Sequence, residues 1–403
     1  MAARPVPSLW LLGLASGLSP FGMAVIVPVL AAFARDFDTT EGMAALLVTS
    51  YLVGLTIAQP VQGSLCDRFG RRPMLIAGFA LFSIASFVCA LAPNLWLLLV
   101  GRVVQAVGVS VGTVASRAVL RDTRDARGTA EAMTWITAFM GISPVLAPMI
   151  GGTLGEHFGW QSIFVFSGAL GVVILGWVLW RLPETRPACT RGDGGLGLRN
   201  WGVLLRDPAF IGFTLMFGAV NGAFFAFLTT GAAIFERDLG LGQQAFGLIY
   251  GALSIAYVVG AAIAGAMIRG WGVGRTLRVS VSLTVVVGLA LPAVVAVFGV
   301  SLTTLLVPLA VLMACSGIVG PQGLAGAVAS HPGIAGTAAG LSSSLGLLTA
   351  AGFAVVSGFI YRGNTLDIML LVTLATVLVG AAMLLTGLVR PGTDLAEEPA
   401  GPA

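Results

Sequence analysis

Residues 63–75 read GSLCDRFGRRPML and set one carboxylate, Asp67, beside three guanidiniums, Arg68, Arg71 and Arg72, in a chain with only 9% charged residues. The chemistry open to such a cluster is charge pairing: an aspartate that bonds to arginines or to the N–H groups at a helix start. A second polar pair, Arg102 and Gln105, sits three residues apart inside an apolar run, hence on one helical face, where it could bind a polar ligand or line a proton path. Glu131 is the acid nearest to the apolar segments that follow. His157 and His331 are far apart, and Cys66, Cys89, Cys189 and Cys315 show no paired spacing. No nucleophile–base pair and no set of metal ligands emerges, so neither an enzyme nor a bound cofactor or metal is expected.

The elements that position these residues are membrane spans. The 403 residues are 57% hydrophobic with 55 glycines. Spanning a bilayer takes about 20 apolar residues, and such runs fill most of the chain. Breaks at Gly, Pro and charged residues delimit spans at 8–33, 43–65, 73–92, 95–119, 131–154, 161–181, 208–235, 243–268, 276–298, 301–326, 335–361 and 366–389. The expected fold class is therefore all-α, with twelve transmembrane helices in two pseudo-symmetric six-helix halves, 1–181 and 208–389. The hydrophilic stretch 182–207 is the linker between them, and 390–403 is a tail.

All 21 basic residues are arginines. With both termini in the cytoplasm, inner segments hold 17 of them, and only Arg35, Arg237 and Arg362 lie outside. That bias sets the orientation, because inner loops of membrane proteins carry the excess of basic residues. The same bias accounts for the net charge of +4, and no basic face with interleaved aromatics suggests nucleic acid. Weak repetition supports duplicated halves with a site between them. Gly63, Arg68 and Arg71 are echoed by Gly265, Arg269 and Arg275, and Gly128-Thr129-Ala130 by Gly336-Thr337-Ala338.

Gly63, Leu65, Asp67, Arg68, Gly70, Arg71 and Arg72 match the G-x-L-x-D-R-x-G-R-[KR] loop pattern, so the chain resembles the major facilitator superfamily of transporters. Arg102, Gln105 and Gly108 are similar to its R-x-x-Q-G-x-G pattern, with Ala106 at one glycine. SPVLAPMIGG at 143–152 is similar to the G-P-x-x-G-G element of drug:proton antiporters. Gly159-Trp160-Gln161-Ser162-Ile163-Phe164 and LSPFGMAVIVPVL at 18–30 resemble the bicyclomycin- and chloramphenicol-resistance subgroup. Two positions depart from that subgroup: Ala24 stands where it usually has Asp, and Gln161 where it usually has Arg.

The resemblance implies roles. Asp67 at the cytoplasmic face would latch the halves by meeting the start of the eleventh span near Pro332–Thr337. Such a carboxylate gains about 0.3–1 kcal/mol from the helix dipole. Gly63, Arg68, Gly70, Arg71, Arg72 and Arg117 or Arg121 complete the network; the alternative is a plain basic surface loop. Arg102, Gln105 and Glu131 would form a substrate or proton path, unless Arg102 snorkels to the outer headgroups. Pro144, Pro148, Gly151 and Gly152 would bend the fifth span or simply pack it closely. Phe213, Phe217, Asn221 and Phe224 on the seventh span, with Tyr250, Ser254 and Tyr257 on the eighth, would line an apolar cavity or face lipid. Asn221 and Tyr257 are the favoured contacts.

The expected function is secondary active efflux of drugs or toxic metabolites by alternating access, as a proton-coupled antiporter. A facilitator of a neutral metabolite without proton coupling is the main alternative, and a membrane enzyme or sensor is the remote one. The expected partners are a small amphipathic molecule, protons and the lipid bilayer, with the protein a monomer of the inner membrane.

Overall fold

The computed structural model describes residues 7–124, 126–185, 198–331 and 334–387, and within them the side chains of Asp67, Arg121 and Glu131 lie outside the described residues. All regular structure among the described residues is helical. The helices are α1 (Leu9–Ala24), α2 (Leu30–Asp36), α3 (Glu41–Phe69), α4 (Arg71–Ala90), α5 (Leu95–Thr123), α6 (Ala126–Phe158) and α7 (Gln161–Arg181). They continue as α8 (Leu198–Leu204), α9 (Pro208–Leu239), α10 (Gln243–Phe298), α11 (Leu302–Ala329), α12 (Ala335–Ile360) and α13 (Thr365–Leu385).

Ten of these segments, α1 and α2 counted together, are long and apolar enough to cross a membrane. The 56-residue α10 is broken at Gly272, whose φ of 76° and ψ of 165° are not helical, and the 33-residue α6 adds one more. Among the described residues there are therefore twelve long helical segments, near the positions expected.

The first span departs from a continuous helix. α1 stops at Ala24, and a 3-10 turn at Val27–Val29 precedes α2. Pro28 is the cause: it has no N–H to give to the Ala24 carbonyl, and its ring clashes with that carbonyl. The last carbonyls of α1 are left seeking donors. By contrast, α6 stays helical through Pro144 and Pro148.

Packing separates two compact units. One comprises Met1–Gly197 with Leu228–Ala252 and Ala354–Gly363; the other comprises Leu198–Phe227, Leu253–Phe353 and Asn364–Ala403. In the first, α5 packs against α1, α3 and α4, while α6 lies on α1 and α7 on α4. In the second, Phe210, Phe213, Met216, Leu277, Val319 and Val379 form a buried core. These units do not follow the boundary between sequence halves, because the ends of α9, α10 and α12 pack with the first unit.

Candidate functional site

Arg102 on α5 is only 1% exposed, although an arginine at the centre of a lone membrane helix costs about 2.5–3.5 kcal/mol. The bundle tolerates it because backbone carbonyls take the place of water. Nε donates to Leu47 O at 3.2 Å, and Nη1 donates to Gly22 O at 2.9 Å and to Gln105 Oε1 at 3.1 Å. Gly22 lies in the last turn of α1, where the break before Pro28 leaves carbonyls open, and a cation there also meets the negative end of the helix dipole.

The guanidinium carbon sits 4.1 Å from the centroid of the Tyr51 ring, an attractive cation–π geometry. Around it, Tyr51 OH donates to Ser19 O at 3.0 Å and Gln105 Nε2 donates to Ser86 Oγ at 2.7 Å. One arginine thus ties α1, α3 and α5 together and reaches α4 through Gln105. Its Nη2 is buried without an acceptor. The guanidinium does not snorkel to the membrane surface.

The loop at the Asp67 end is organised by residues that sequence reasoning missed. Gly70 joins α3 to α4 with φ of 101°, a conformation that side chains other than glycine's rarely adopt. Glu184, after α7, accepts from the backbone N of Arg71 at 3.0 Å and of Arg72 at 3.2 Å, so it caps α4 from a distant part of the chain. Arg71 is buried; Nη1 donates to Cys66 O at 2.9 Å, and Nε pairs with Asp122 Oδ2 at 2.8 Å. Thr185 Oγ1 donates to the same Asp122 oxygen at 3.4 Å. Arg72 Nη2 donates to Leu179 O at 3.0 Å, and Arg68 lies over the Phe69 ring.

Asp122 therefore pairs with Arg71 in the network expected to use Arg117 or Arg121, and Arg117 is exposed on α5. Gly63 has open space around it. The side chains of Asp67 and Arg121, and residues 332–333, lie outside the described residues.

Removing the distant cap has a readable effect. Glu184→Ala is expected to destabilise the protein by about 1 kcal/mol, the usual worth of an N-cap, seen as a lower Tm of the purified protein. Gly70→Ala is expected to lower Tm further, because it adds left-handed strain and sets a Cβ 2.5 Å from Glu184 Oε2.

At the opposite end, α2, α3 and α6 meet the ends of α9, α10 and α12 within the first unit. Arg35 Nη1 forms an ion pair with Glu236 Oε1. Glu156 Oε2 accepts from the backbone N of Gln244 at 2.9 Å, and Trp160 Nε1 donates to Asp36 Oδ2 at 2.8 Å. Gly151 and Gly152 of α6 sit against the Val25 and Gln243 backbones, respectively, with room for no larger residue. Gly151 and Gly152 thus pack closely here, and the α-helix continues through Pro144 and Pro148. At this same end, burial and the carboxylates of Glu41 and Asp238 hold the Tyr361 phenol above the usual tyrosine range. It stays neutral.

The Arg35–Glu236 pair is partly exposed, 57% and 41% at the side chains, so its worth to stability is below about 1 kcal/mol. Its effect on transport should be larger than on Tm if it helps close this end. Arg35→Glu is expected to cut transport severalfold with Tm nearly unchanged, and adding Glu236→Arg should restore most of the rate.

The residues expected to line a cavity take the following places. Asn221 Nδ2 donates to the Phe217 carbonyl of its own helix at 2.7 Å. Phe213 is in the core, and Phe217 packs where Gly346 has no side chain. Phe224 meets the Phe225 ring edge-on. Ser254 is buried and Tyr257 half-buried. Tyr250 belongs to the first unit, fully buried and 5.8 Å from the Phe246 ring. Tyr250, Ser254 and Tyr257 all lie on α10 before its break at Gly272. Glu131 lies in α6, its side chain outside the described residues.

Comparison with known proteins agrees with this architecture. Over 389 residues the chain is 30% identical to a chloramphenicol resistance protein of Pseudomonas aeruginosa, covering 90% of this chain and 88% of that protein. It is 38% identical over 171 residues to the multidrug resistance protein MdtL of Escherichia coli O81, an overlap of 42% of this chain and only 44% of MdtL. A crystal structure of a bacterial homologue of the human lysosomal transporter Spinster, inward-facing and occupied, superposes with a TM-score of 0.74 at 16% identity, covering 94% of this chain and 95% of that one. That likeness speaks for the fold. The family model of the Major Facilitator Superfamily matches residues 12–354; with the loop at Gly70 and the twelve long helices, this chain belongs to that superfamily of transporters.

Proposed function

We propose that this transporter exports small amphipathic molecules, drugs or toxic metabolites among them, by alternating access driven by the proton gradient. The observation that carries the reading is the end-to-end similarity to the Pseudomonas chloramphenicol resistance protein. The partial match to MdtL points the same way. In this reading the sequence halves 1–181 and 208–389 rock about a path between them, with 182–207 as linker and 390–403 as tail. Both termini face the cytoplasm, as the arginine bias argues. The Asp67 end is then cytoplasmic, with Asp67 as latch to the start of α12, and the Arg35 end is the outer closure. Glu131 is the acid assigned to carry the coupled proton, and the protein acts as a monomer.

A second reading, facilitated movement of a neutral metabolite without protons, is favoured by one observation: Ala24 leaves the first span without a carboxylate. Drug accumulation in efflux-deficient bacteria separates the two. Proton-driven export predicts low chloramphenicol accumulation that rises to the level of control cells when the gradient is collapsed, and loss of that response in Glu131→Gln. Export that persists without a gradient would establish the facilitator. Unchanged accumulation of every compound in a broad panel would overturn export itself.

A further inference from the structure

We propose that the break in α10 binds the phosphate of an anionic phospholipid, held by Arg269, Arg275 and Arg278 beside Trp271. The inference stands apart from the export reading and survives its failure.

The segment 269–278 reads RGWGVGRTLR, three arginines in ten residues with no acid. It joins the apolar runs 243–268 and 276–298, so its charges and its tryptophan sit where the membrane ends. Gly272, with φ of 76°, makes the turn. Arg269, Trp271 and Arg275 are exposed and Arg278 is half-buried. The Arg275 guanidinium lies 5.6 Å from the centre of the Trp271 ring. Exposed apolar residues on either side, Ile263 and Val279, give acyl chains a surface.

No acid of this unit is placed to neutralise the turn. From Leu239 to Leu366 the sequence contains no Asp or Glu. Among its described residues the second unit holds two acids, Asp207 and Asp367. Asp207 is already engaged: it accepts from the backbone N of Ala209 at 3.0 Å and of Phe210 at 3.2 Å, and lies 3.5 Å from His331 Nδ1. Asp367 is at the other end of the bundle. Leu277 shares its core with Met383 of α13, and along that helix Met383 lies about 24 Å from Asp367. Among the described residues no carboxylate pairs with Arg269 or Arg275.

The matching turn of the first unit is closed by its own acids. There Asp122 pairs with Arg71, and Glu184 bonds the N–H groups after Gly70, where a Cβ would lie 2.5 Å from its Oε2. At Gly272 a Cβ would meet nothing within 4 Å. The α10 turn thus combines arginines, open space and no acid, and a phosphate supplies the counter-charge. Each arginine near an anionic lipid surface strengthens binding by about fivefold. A zwitterionic lipid carries its own cation and gains little.

Brominated lipids quench tryptophan on contact, and the difference between the wild type and Trp271→Phe isolates this position among the eight tryptophans. The full chain is reconstituted in dioleoylphosphatidylcholine with a small fraction of brominated lipid. Brominated phosphatidylglycerol is expected to match the Trp271 quenching of brominated phosphatidylcholine at a mole fraction at least about fivefold lower. Arg269→Gln with Arg275→Gln, both at exposed positions, should bring that factor below about twofold. Arg181→Gln, at an exposed arginine of the first unit, should leave it unchanged. Because the readout is a ratio within one protein, a change in the fluorescence itself cancels.

Equal quenching by the two lipids in the wild type would overturn the proposal, and that comparison needs only the exposed Trp271→Phe change. A preference kept by the double variant would overturn it too. Equal loss in Arg181→Gln would show a general surface charge in place of a site. Loss of the preference when inorganic phosphate is added would mean that the turn holds a free anion and not a lipid.

Discussion

Arg102→Leu is expected to lower export at least about 100-fold and to destabilise the first bundle. The change removes three hydrogen bonds from a charged donor, each worth about 1.5–3 kcal/mol in such settings. It also strips Gln105 of its donor, leaves the Gly22 carbonyl at the end of α1 without its cap, and removes the cation over Tyr51. Each tenfold in rate corresponds to about 1.4 kcal/mol, so partial disorder of this junction suffices for the loss. Arg102→Lys retains the charge but cannot reach Leu47, Gly22 and Gln105 together, because an ammonium lacks the planar fork. It should recover stability in part and transport less. Thermal unfolding and drug accumulation measured on the same variants separate the two effects. A leucine variant that transports at the wild-type rate would show that the junction plays no part in transport.

Gly152→Val should come next in severity. A Cβ there would lie 2.5 Å from the Gln243 carbonyl oxygen and 3.1 Å from its carbon, both backbone atoms with no freedom to rotate away. α6 and the start of α10 must separate, and the Arg35 end can no longer close. Transport is expected to fall at least about tenfold, and a cysteine introduced at position 243 should become more reactive toward a membrane-impermeant maleimide. Gly141→Val on the same helix is the control, since nothing lies within 4 Å of its Cβ position. It should transport normally. Equal loss in both variants would show that α6 resists any added bulk, not that this contact matters.

The spans were legible to within about five residues at each end, because apolar length and charge breaks are local properties. The break in α10 at Gly272 falls between the arginines that end one apolar run and precede the next. Gly70 was legible too, since its loop pattern requires a tight turn. The break at Pro28 was hidden inside an unbroken apolar run, and with it the reason that Gly22 is available to Arg102. No local pattern marks Asp122 or Glu184; only folding brings them to Arg71, 51 and 113 residues away in sequence respectively. The arginine bias puts Arg35 at the outer surface, but its ion pair with Glu236, 201 residues away, is set by helix packing.

The central claim, export of small amphipathic molecules, is tested most directly in proteoliposomes with the purified full chain. With an imposed pH gradient, the account predicts chloramphenicol movement against its concentration gradient, opposite in direction to the protons, and abolished when an ionophore dissipates the gradient. Uptake indistinguishable from protein-free liposomes, in a preparation whose protein is folded by its thermal transition, would contradict it.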